Sequence, residues 1–395
     1  MKVLYINHVS PLAGSSRSLL ELINCISVHQ VSKYMITPDG EFADEIEKKG
    51  IPVIRTSGVA QFCNTEYGYY RKTRWLILIR EIYFLIISLF IYYRAKKKWG
   101  NFDIIHLNEI TLFPNIFILN LYFKKVKYVL HVRSIQRYKQ NFLSKILNLV
   151  YKKYVNVFIT IDKNVNESLK NDVKKIIIHN SLDPRNVKKS KKSSKIFTVG
   201  MVGLLNKSKG CSIFIETAYL AKLNNFKIRF ILYGDLKLKV RFVNFLKRIF
   251  NLNENNSDEL KKLITKLNLS DYVKILPFEK KLNKIYNSFD VLCFPSFLLS
   301  PGRPIFEAGF YKLPSIAAVE NPKDDTIIDN VTGLIIKPNS SFDLIEKILI
   351  LKNDKDLRNK LGKNAAQMSL KNFNAQKNAK LITLLYKNTL KKNGS

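Results

Sequence analysis

The chain predicts an α/β protein built from two Rossmann-like, doubly wound parallel-sheet domains facing a cleft, and three observations carry that prediction. Short apolar runs alternate with helical stretches over nearly the whole length. The alternation breaks once, at a Ser/Lys-rich segment near residue 190, and then restarts. At 395 residues, 46% of them apolar and with only 15 Gly and 12 Pro, the chain is too long for one ordinary core and suits two.

The first domain, 1–182, opens with KVLYINH at 2–8, too short for a signal-peptide core and read as a first buried strand. A loop and a helix over 15–26 follow, then a strand at 33–38, an acidic helix over 42–49 and a strand at 52–56. Residues 75–93, WLILIREIYFLIISLFIYY, form an apolar and aromatic helix flanked by Arg71, Lys72 and Arg74 before it and Arg94, Lys96, Lys97 and Lys98 after it. Arg80 and Glu81 leave an unbroken apolar run only over 82–93, short of the roughly 20 residues a membrane span needs. A helix packed on the domain with one face against lipid headgroups therefore ranks first, a plain core helix second and a span third. Strands at 103–108, 127–132, 157–161 and 175–180 alternate with helices over 112–122 and 144–154.

Residues 183–195 lose their apolar side chains and read as an exposed linker. The second domain, 196–372, repeats the pattern with strands at 197–203, 227–234, 274–278, 291–295, 315–319 and 333–338. It has a helix over 213–223, a basic helix-rich stretch over 236–269 and helix from 341 onward. Residues 373–395 are amphipathic.

The net charge of +35 arises from 66 Lys+Arg against 31 Asp+Glu. Three readings follow, in this order: a compositional bias with lysines on solvated faces, attraction to an anionic membrane surface, and nucleic acid. No helix-turn-helix spacing or aromatic-basic motif supports nucleic acid as a partner. Cys25, Cys63, Cys211 and Cys293 are isolated, which fits a reducing compartment and suggests neither a zinc site nor a disulfide framework.

The most informative segment is 294–318, FPSFLLSPGRPIFEAGFYKLPSIAA. A strand ends at 295, and a helix opens around Gly302, Arg303, Pro304 and Ile305. In a parallel sheet this puts free backbone N–H groups at the carboxyl edge, where they favour an anion such as a diphosphate. Glu307 then lies about one turn inside the helix, in reach of ribose or sugar hydroxyls. A second loop, GLLNKSKG at 203–210, offers Gly203 and the cation Lys209, with Lys207 or Arg303 as possible substitutes. The loop after the first strand carries Gly14 and Ser15, where Ser15 or Ser16 can cap the next helix and the backbone can contact phosphate or acceptor. An ordinary strand-to-helix turn explains it equally well. His131 ends the strand KYVLHV, while His106 reads as structural. No paired-carboxylate motif stands in a metal-holding context, since Asp324 and Asp325 have no third ligand.

These residues together resemble the retaining GT-B glycosyltransferases of family 4, the glycosyl transferases group 1. That family's signature has a Glu, seven residues and a second Glu, and Glu307 matches the second while Leu299 stands at the first. Lys209 matches the family's loop lysine, and Leu204 stands where the loop arginine would be. Asp325 falls near the family's Gly-Gly-x-x-Glu turn, whose glycines are replaced here by Asn321 and Pro322.

The resemblance implies a GT-B fold with a terminal helix returning to the first domain. It implies retention of configuration without a metal or cofactor, the donor being a nucleotide-diphosphate sugar. Catalysis would rest on positioning and on stabilising the leaving diphosphate. His131 and Glu307 are the implied catalytic residues; Gly14, Ser15, Gly203, Lys209, Gly302, Arg303, Pro304, Ile305 and Asp325 are the implied donor contacts. A glycan or lipid-linked acceptor in surface polysaccharide synthesis follows, at a cytoplasmic station peripheral to the inner face of the cell membrane. The rival reading is a catalytically degraded scaffold that binds an anionic polymer or nucleic acid.

Overall fold

The computed structural model describes residues 1–12, 14–70, 72–137, 142–170, 173–190, 195–235, 257–297 and 301–391. Two compact units emerge: Met1–Asp183 together with Asn372–Ser395, and Pro184–Lys371.

The first unit is a seven-stranded, all-parallel sheet of order β3-β2-β1-β4-β5-β6-β7. Its strands are β1 (Lys2–Ile6), β2 (Ser32–Pro38), β3 (Val53–Thr56), β4 (Ile104–Leu107), β5 (Lys127–Val132), β6 (Val157–Thr160) and β7 (Lys175–Ile177). Successive residues of a strand face opposite sides, so each strand feeds two cores. Leu4 and Ile6 join Tyr92, Trp99, Ile116, Leu119, Leu147 and Tyr151 on one face. These come from α3 (Ile77–Trp99), α4 (Asn115–Tyr122) and α5 (Phe142–Tyr154). Val3 and Tyr5 pack on the other face against Leu19, Ile23, Phe42, Ile382 and Tyr386. That layer is made by α1 (Gly14–Asn24), α2 (Glu41–Glu47) and the last helix of the chain, Ala375–Lys391. A short helix α6 (Lys163–Ser168) is capped by Asp162, which accepts from Val165 N at 2.7 Å.

Helix α3 ends at Trp99 because Gly100, at φ 72°, turns the chain away in a positive-φ conformation that favours glycine, after three lysines in the last turn. The helix expected over 112–122 is instead a 3-10 turn, Ile110–Leu112, followed by α4, because Pro114 cannot donate into a continuous ladder.

The second unit is a six-stranded parallel sheet of order β10-β9-β8-β11-β12-β13. Its strands are β8 (Phe197–Val202), β9 (Ile228–Asp235), β10 (Val273–Pro277), β11 (Val291–Phe294), β12 (Ser315–Ala318) and β13 (Gly333–Ile336). Helices α7 (Cys211–Leu223), α8 (Ser257–Lys266), α9 (Leu282–Tyr286), α10 (Arg303–Phe310), α11 (Ser341–Asn353) and α12 (Lys355–Asn372) cover it, and Ala375–Lys391 is α13. The helical tail breaks at Asp354, whose carboxylate accepts from Leu357 N and so starts α12. Part of the segment read as a linker is held: Lys188 N donates to Asn283 Oδ1 at 2.8 Å and Asn283 Nδ2 to Asn186 O at 3.1 Å. Leu299, the Lys207 side chain and most of the 236–269 stretch lie outside the described residues.

Candidate functional site

In the second unit the strand order reverses between β8 and β11, which opens a crevice at their carboxyl ends. The loop after β8 fills one side of it. Gly203 has φ 141° and Gly234, at the end of β9, has φ 145°; a Cβ on Gly234 would stand 1.7 Å from Gly203 O. Only glycine permits that approach, and Gly203 N donates across it to Tyr233 O at 3.0 Å. Asn206 then turns the chain, its Oδ1 accepting from Lys209 N at 3.1 Å and Ser208 Oγ at 3.0 Å.

The loop is fastened to the end of β11. Ser208 O accepts from Phe297 N at 3.0 Å and from Ser296 Oγ at 3.0 Å. Gly210, left-handed at φ 75°, starts α7 in a place where a Cβ would lie 1.8 Å from Pro295 O. Phe294 is the wedge at the centre. Lys209 Nζ is 5.4 Å from its ring centroid, and Gly302 backs so closely onto the same ring that a Cβ would come within 2.5 Å. The structure therefore brings Lys209, Gly302 and the start of α10 together around one buried ring, while Gly203 opens the same loop against the end of β9.

Helix α10 begins at Arg303, with Pro304 in its first turn and Ile305 N bonded to Gly302 O at 3.2 Å. Glu307 sits one turn in, but its carboxylate is already engaged. Arg303 Nε donates to Glu307 Oε1 at 3.0 Å, and Nη2 lies 2.8 Å from the same oxygen as the closest approach of the ion pair. Tyr286 OH donates to Oε2 at 2.7 Å, and its ring stacks on Tyr311. Glu307, expected to meet sugar hydroxyls, and Arg303, expected as a possible substitute diphosphate cation, are thus paired with each other, because a guanidinium four residues back along a helix meets the carboxylate directly. Tyr286 is a residue that sequence reasoning missed. Asp325 lies buried in the turn between β12 and β13.

In the first unit the corresponding reversal lies between β1 and β4. Gly14 (φ 24°) is exposed at the first residue of α1. Ser15 and Ser16 fall inside the first turn rather than at its cap, and Ser16 Oγ donates back to Pro11 O at 2.6 Å. His131 lies within β5 and is 1% exposed. Its Nδ1 is 3.3 Å from Arg133 Nη2. A guanidinium cannot accept, so Nδ1 is the acceptor and Nε2 carries the proton; that N–H has no partner among the described residues. Burial, reinforced by Arg133, holds the His131 pKa well below its ordinary value and keeps the ring neutral.

His106 lies beside it, ring centroids 5.5 Å apart, its Nδ1 2.6 Å from Tyr386 OH and its pKa lowered to about 3 by burial. Arg133 is the hub, donating to Asn108 Oδ1 at 2.7 Å and Asn180 Oδ1 at 2.7 Å. Glu109, after β4, accepts from Ile110 N at 3.0 Å and Arg133 N at 3.3 Å. Burial nonetheless raises its pKa to about 7. Glu109 carried no motif; its one signal was its place immediately past a buried strand, HLN–Glu109, at a carboxyl edge. The Cys211 thiol is pushed up to about 12 by burial, and among the described residues no three His, Cys, Asp or Glu side chains could hold a metal ion.

Residues 182–368 match the family described as glycosyl transferases group 1. The capsular polysaccharide biosynthesis glycosyltransferase CapM of Staphylococcus aureus is 24% identical over 180 residues, covering 46% of this chain and 43% of CapM. The chain thus spans less than half of that relative's length. Anabaena HepE, solved with UDP and glucose, superposes with a TM-score of 0.73 at 18% identity, covering 98% of this chain and 99% of HepE. A variant of S. aureus TarM, solved with fondaparinux, alpha-GlcNAc-glycerol and UDP, gives a TM-score of 0.70 at 14% identity, covering 98% and 99%. The fold is that of the GT-B glycosyltransferases, and the family match supports a group 1 glycosyltransferase.

Proposed function

We propose that the chain transfers a sugar from a nucleotide-diphosphate donor to a glycan or lipid-linked acceptor in surface polysaccharide synthesis, with retention and without a metal. One observation carries the reading: the Lys209 loop and the start of α10 are fastened around Phe294 at the β8/β11 reversal, where a diphosphate meets a cation and a helix N-terminus. In the reaction the bond from the anomeric carbon to the diphosphate oxygen breaks, and one from that carbon to an acceptor hydroxyl forms. The acceptor proton leaves with the departing phosphate or with solvent. Lys209 neutralises charge on the leaving group. The neutral His131 offers its Nε2–H to a sugar oxygen, and Glu307 holds donor hydroxyls once Arg303 and Tyr286 have fixed its carboxylate.

HepE and TarM were solved with UDP, so UDP and its sugars head a thermal-shift panel that also includes GDP and ADP. A shift with one nucleotide, lost in Lys209→Ala, is expected. Turnover unchanged in both Lys209→Ala and Glu307→Gln would remove the site assignment. Product anomer by NMR tests retention, and unchanged turnover in EDTA tests metal independence. Leu204 at the loop arginine's position is 39% exposed and favours the degraded scaffold as second reading. That reading leads if no nucleotide shifts the melting point.

We also propose a station on the cytoplasmic face of an anionic membrane, supported by the inverted polarity of α3. The helix is long and apolar enough to cross a bilayer, yet only 17% of its most apolar stretch is buried. Its inward stripe is Glu81, Ser88, Tyr92, Ala95 and Trp99, with Ser88 Oγ and Tyr92 OH both donating to Asn115 Oδ1. Outward stand Ile79, Tyr83, Ile86 and Phe90, the last 72% exposed, with Trp75 exposed in the 3-10 turn just before the helix. Leu121 of α4 and Leu149 of α5 add to the exposed set, and Lys97, Lys98, Lys124, Lys152 and Lys153 are exposed on the same three helices or just beyond their ends. A helix with one stripe in a protein core is not ringed by lipid, which favours lying on the surface over crossing it. Flotation with vesicles containing phosphatidylglycerol, weakened by salt and lost in Ile79→Asp/Phe90→Asp, is expected. Equal flotation with neutral vesicles or resistance to alkaline carbonate would count against it.

A further inference from the structure

At the amino-terminal ends of α3 and α5 the first unit holds a cavity of about 170 Å³. Phe62, Tyr69, Tyr70, Trp75, Arg137 and Leu143 line it. Two extended segments form its frame: Thr65 pairs with Gln136, Glu66 N donates to Ile135 O at 2.9 Å, and Arg137 N donates to Asn64 O at 3.0 Å. The rings are fixed as well. Tyr70 stacks on Trp75 at 5.3 Å between centroids and leans on Phe62 at 5.1 Å. Its hydroxyl accepts from Cys63 N at 3.3 Å and donates to Gln61 O at 3.4 Å.

Arg137 is the informative group. Its guanidinium carbon lies 3.5 Å from the centre of the Tyr69 ring. Among the described residues no carboxylate forms an ion pair with it, while Arg80 and Arg303 each have one and Arg55 has three. Stacking fixes the plane of a guanidinium and leaves its fork of N–H donors free to grip an anion in two-point fashion. Aromatic walls pack on the C–H face of a sugar ring. The volume suits about one ring rather than a long chain, since each displaced water occupies roughly 30 Å³.

We propose that this cavity binds a single sugar ring carrying a phosphate or a carboxylate, as the anionic end of the acceptor. The acceptor role rests on the transferase reading; the binding itself does not. Two sources share the chemistry: the sugar phosphate of a lipid-linked carrier, and an acidic sugar within a glycan. Trp75 is 53% exposed in the 3-10 turn that leads into the helix facing outward with apolar side chains, so the cavity stands where a carrier's headgroup would meet the protein.

The test is binding of α-glucose 1-phosphate, glucuronate and methyl glucoside, followed by saturation-transfer NMR and by fluorescence. Trp75 and the buried Trp99 are the two tryptophans, which makes fluorescence a local readout. One of the two anions is expected to bind and the neutral glucoside to bind more weakly. Loss of a charge-assisted hydrogen bond in Arg137→Gln should weaken the anion about tenfold or more. Trp75→Ala should abolish the fluorescence change, and Lys209→Ala should leave affinity intact, separating this cavity from the donor loop. Which anion binds distinguishes carrier phosphate from acidic glycan.

Arg137→Lys, checked by circular dichroism, keeps the charge without the stacked fork and guards against a folding artefact; intermediate affinity is expected. Binding of neither anion at millimolar concentration, affinity untouched by Arg137→Gln, or loss in Lys209→Ala would each overturn the proposal. Anion binding together with no melting shift from any nucleotide would leave the cavity assigned and the transferase reading overturned.

Discussion

Glu307 and Arg303 show how a residue can be named from its motif and still be misread in its company. The motif legibly marks a carboxylate one turn into a helix, but the residues that hold it come from elsewhere: Tyr286 belongs to a five-residue helix with no signature of its own. Removing one partner of a buried pair costs more than removing both, because the survivor keeps an uncompensated charge. Arg303→Met should therefore lose about 3–5 kcal/mol in urea unfolding, whereas Arg303→Met/Glu307→Met should recover most of it and still fail to respond to nucleotide. Equal stability of the single and double variants would show that the pair does not shape the site.

Glu109 invites a pH test. Its pKa is raised from 4.5 to about 7 in the folded chain, so the folded state binds more protons than the unfolded one between those values, and stability falls as pH rises through that window. Glu109→Gln should remove that fall, gaining up to about 3 kcal/mol over wild type between pH 4.5 and 8. Coincident melting-point profiles for the two proteins would contradict it.

At the scale of elements, strands were the easier part to read. Most are short runs rich in β-branched and apolar residues, and the central ones, such as β4, β6, β11 and β12, are buried on both faces, so their signal is composition rather than period. Helix limits were harder, since they depend on single residues: Pro114 splits one predicted helix, and Gly100 lets α3 run past the aromatic stretch through its lysines. The loops of the candidate site were legible as glycine and lysine patterns, but not their mutual fastening, which joins residues almost ninety positions apart, as Ser208 and Ser296 do. Gly210 is the element-scale pivot. Any side chain there meets Pro295 O and must also adopt a left-handed backbone. Gly210→Ala should cost more than about 2 kcal/mol and abolish the nucleotide-dependent melting shift, even at temperatures where circular dichroism shows the second sheet intact. A normal shift in that variant would mean the loop does not form the donor pocket.

On the scale of the whole molecule, the chain is threaded so that one unit is interrupted by the other. The first unit takes its last layer from α13, at the far end of the sequence. Ile382, Leu385 and Tyr386 are buried in its second core, and Tyr386 OH reaches both His106 Nδ1 and, at 3.3 Å, Tyr5 OH. Amphipathic spacing marked the helix in the sequence, but not this polar knot, because neither His106 nor Tyr386 belongs to a pattern. Burying three such side chains is worth about 5 kcal/mol or more, comparable to the net stability of an entire domain. A fragment of residues 1–183 should therefore fail to fold alone and should recover cooperative unfolding when 372–395 is supplied through a flexible linker. The fragment 184–371 keeps all six strands of its sheet and the Lys209–Phe294–Glu307 part of the candidate site, so it should fold alone and keep its nucleotide-dependent melting shift. Tyr386→Phe is the milder probe, leaving the helix in place while withdrawing the His106 partner at about 1–3 kcal/mol. A cooperatively folded 1–183 fragment would show that the returning helix covers a core already complete without it.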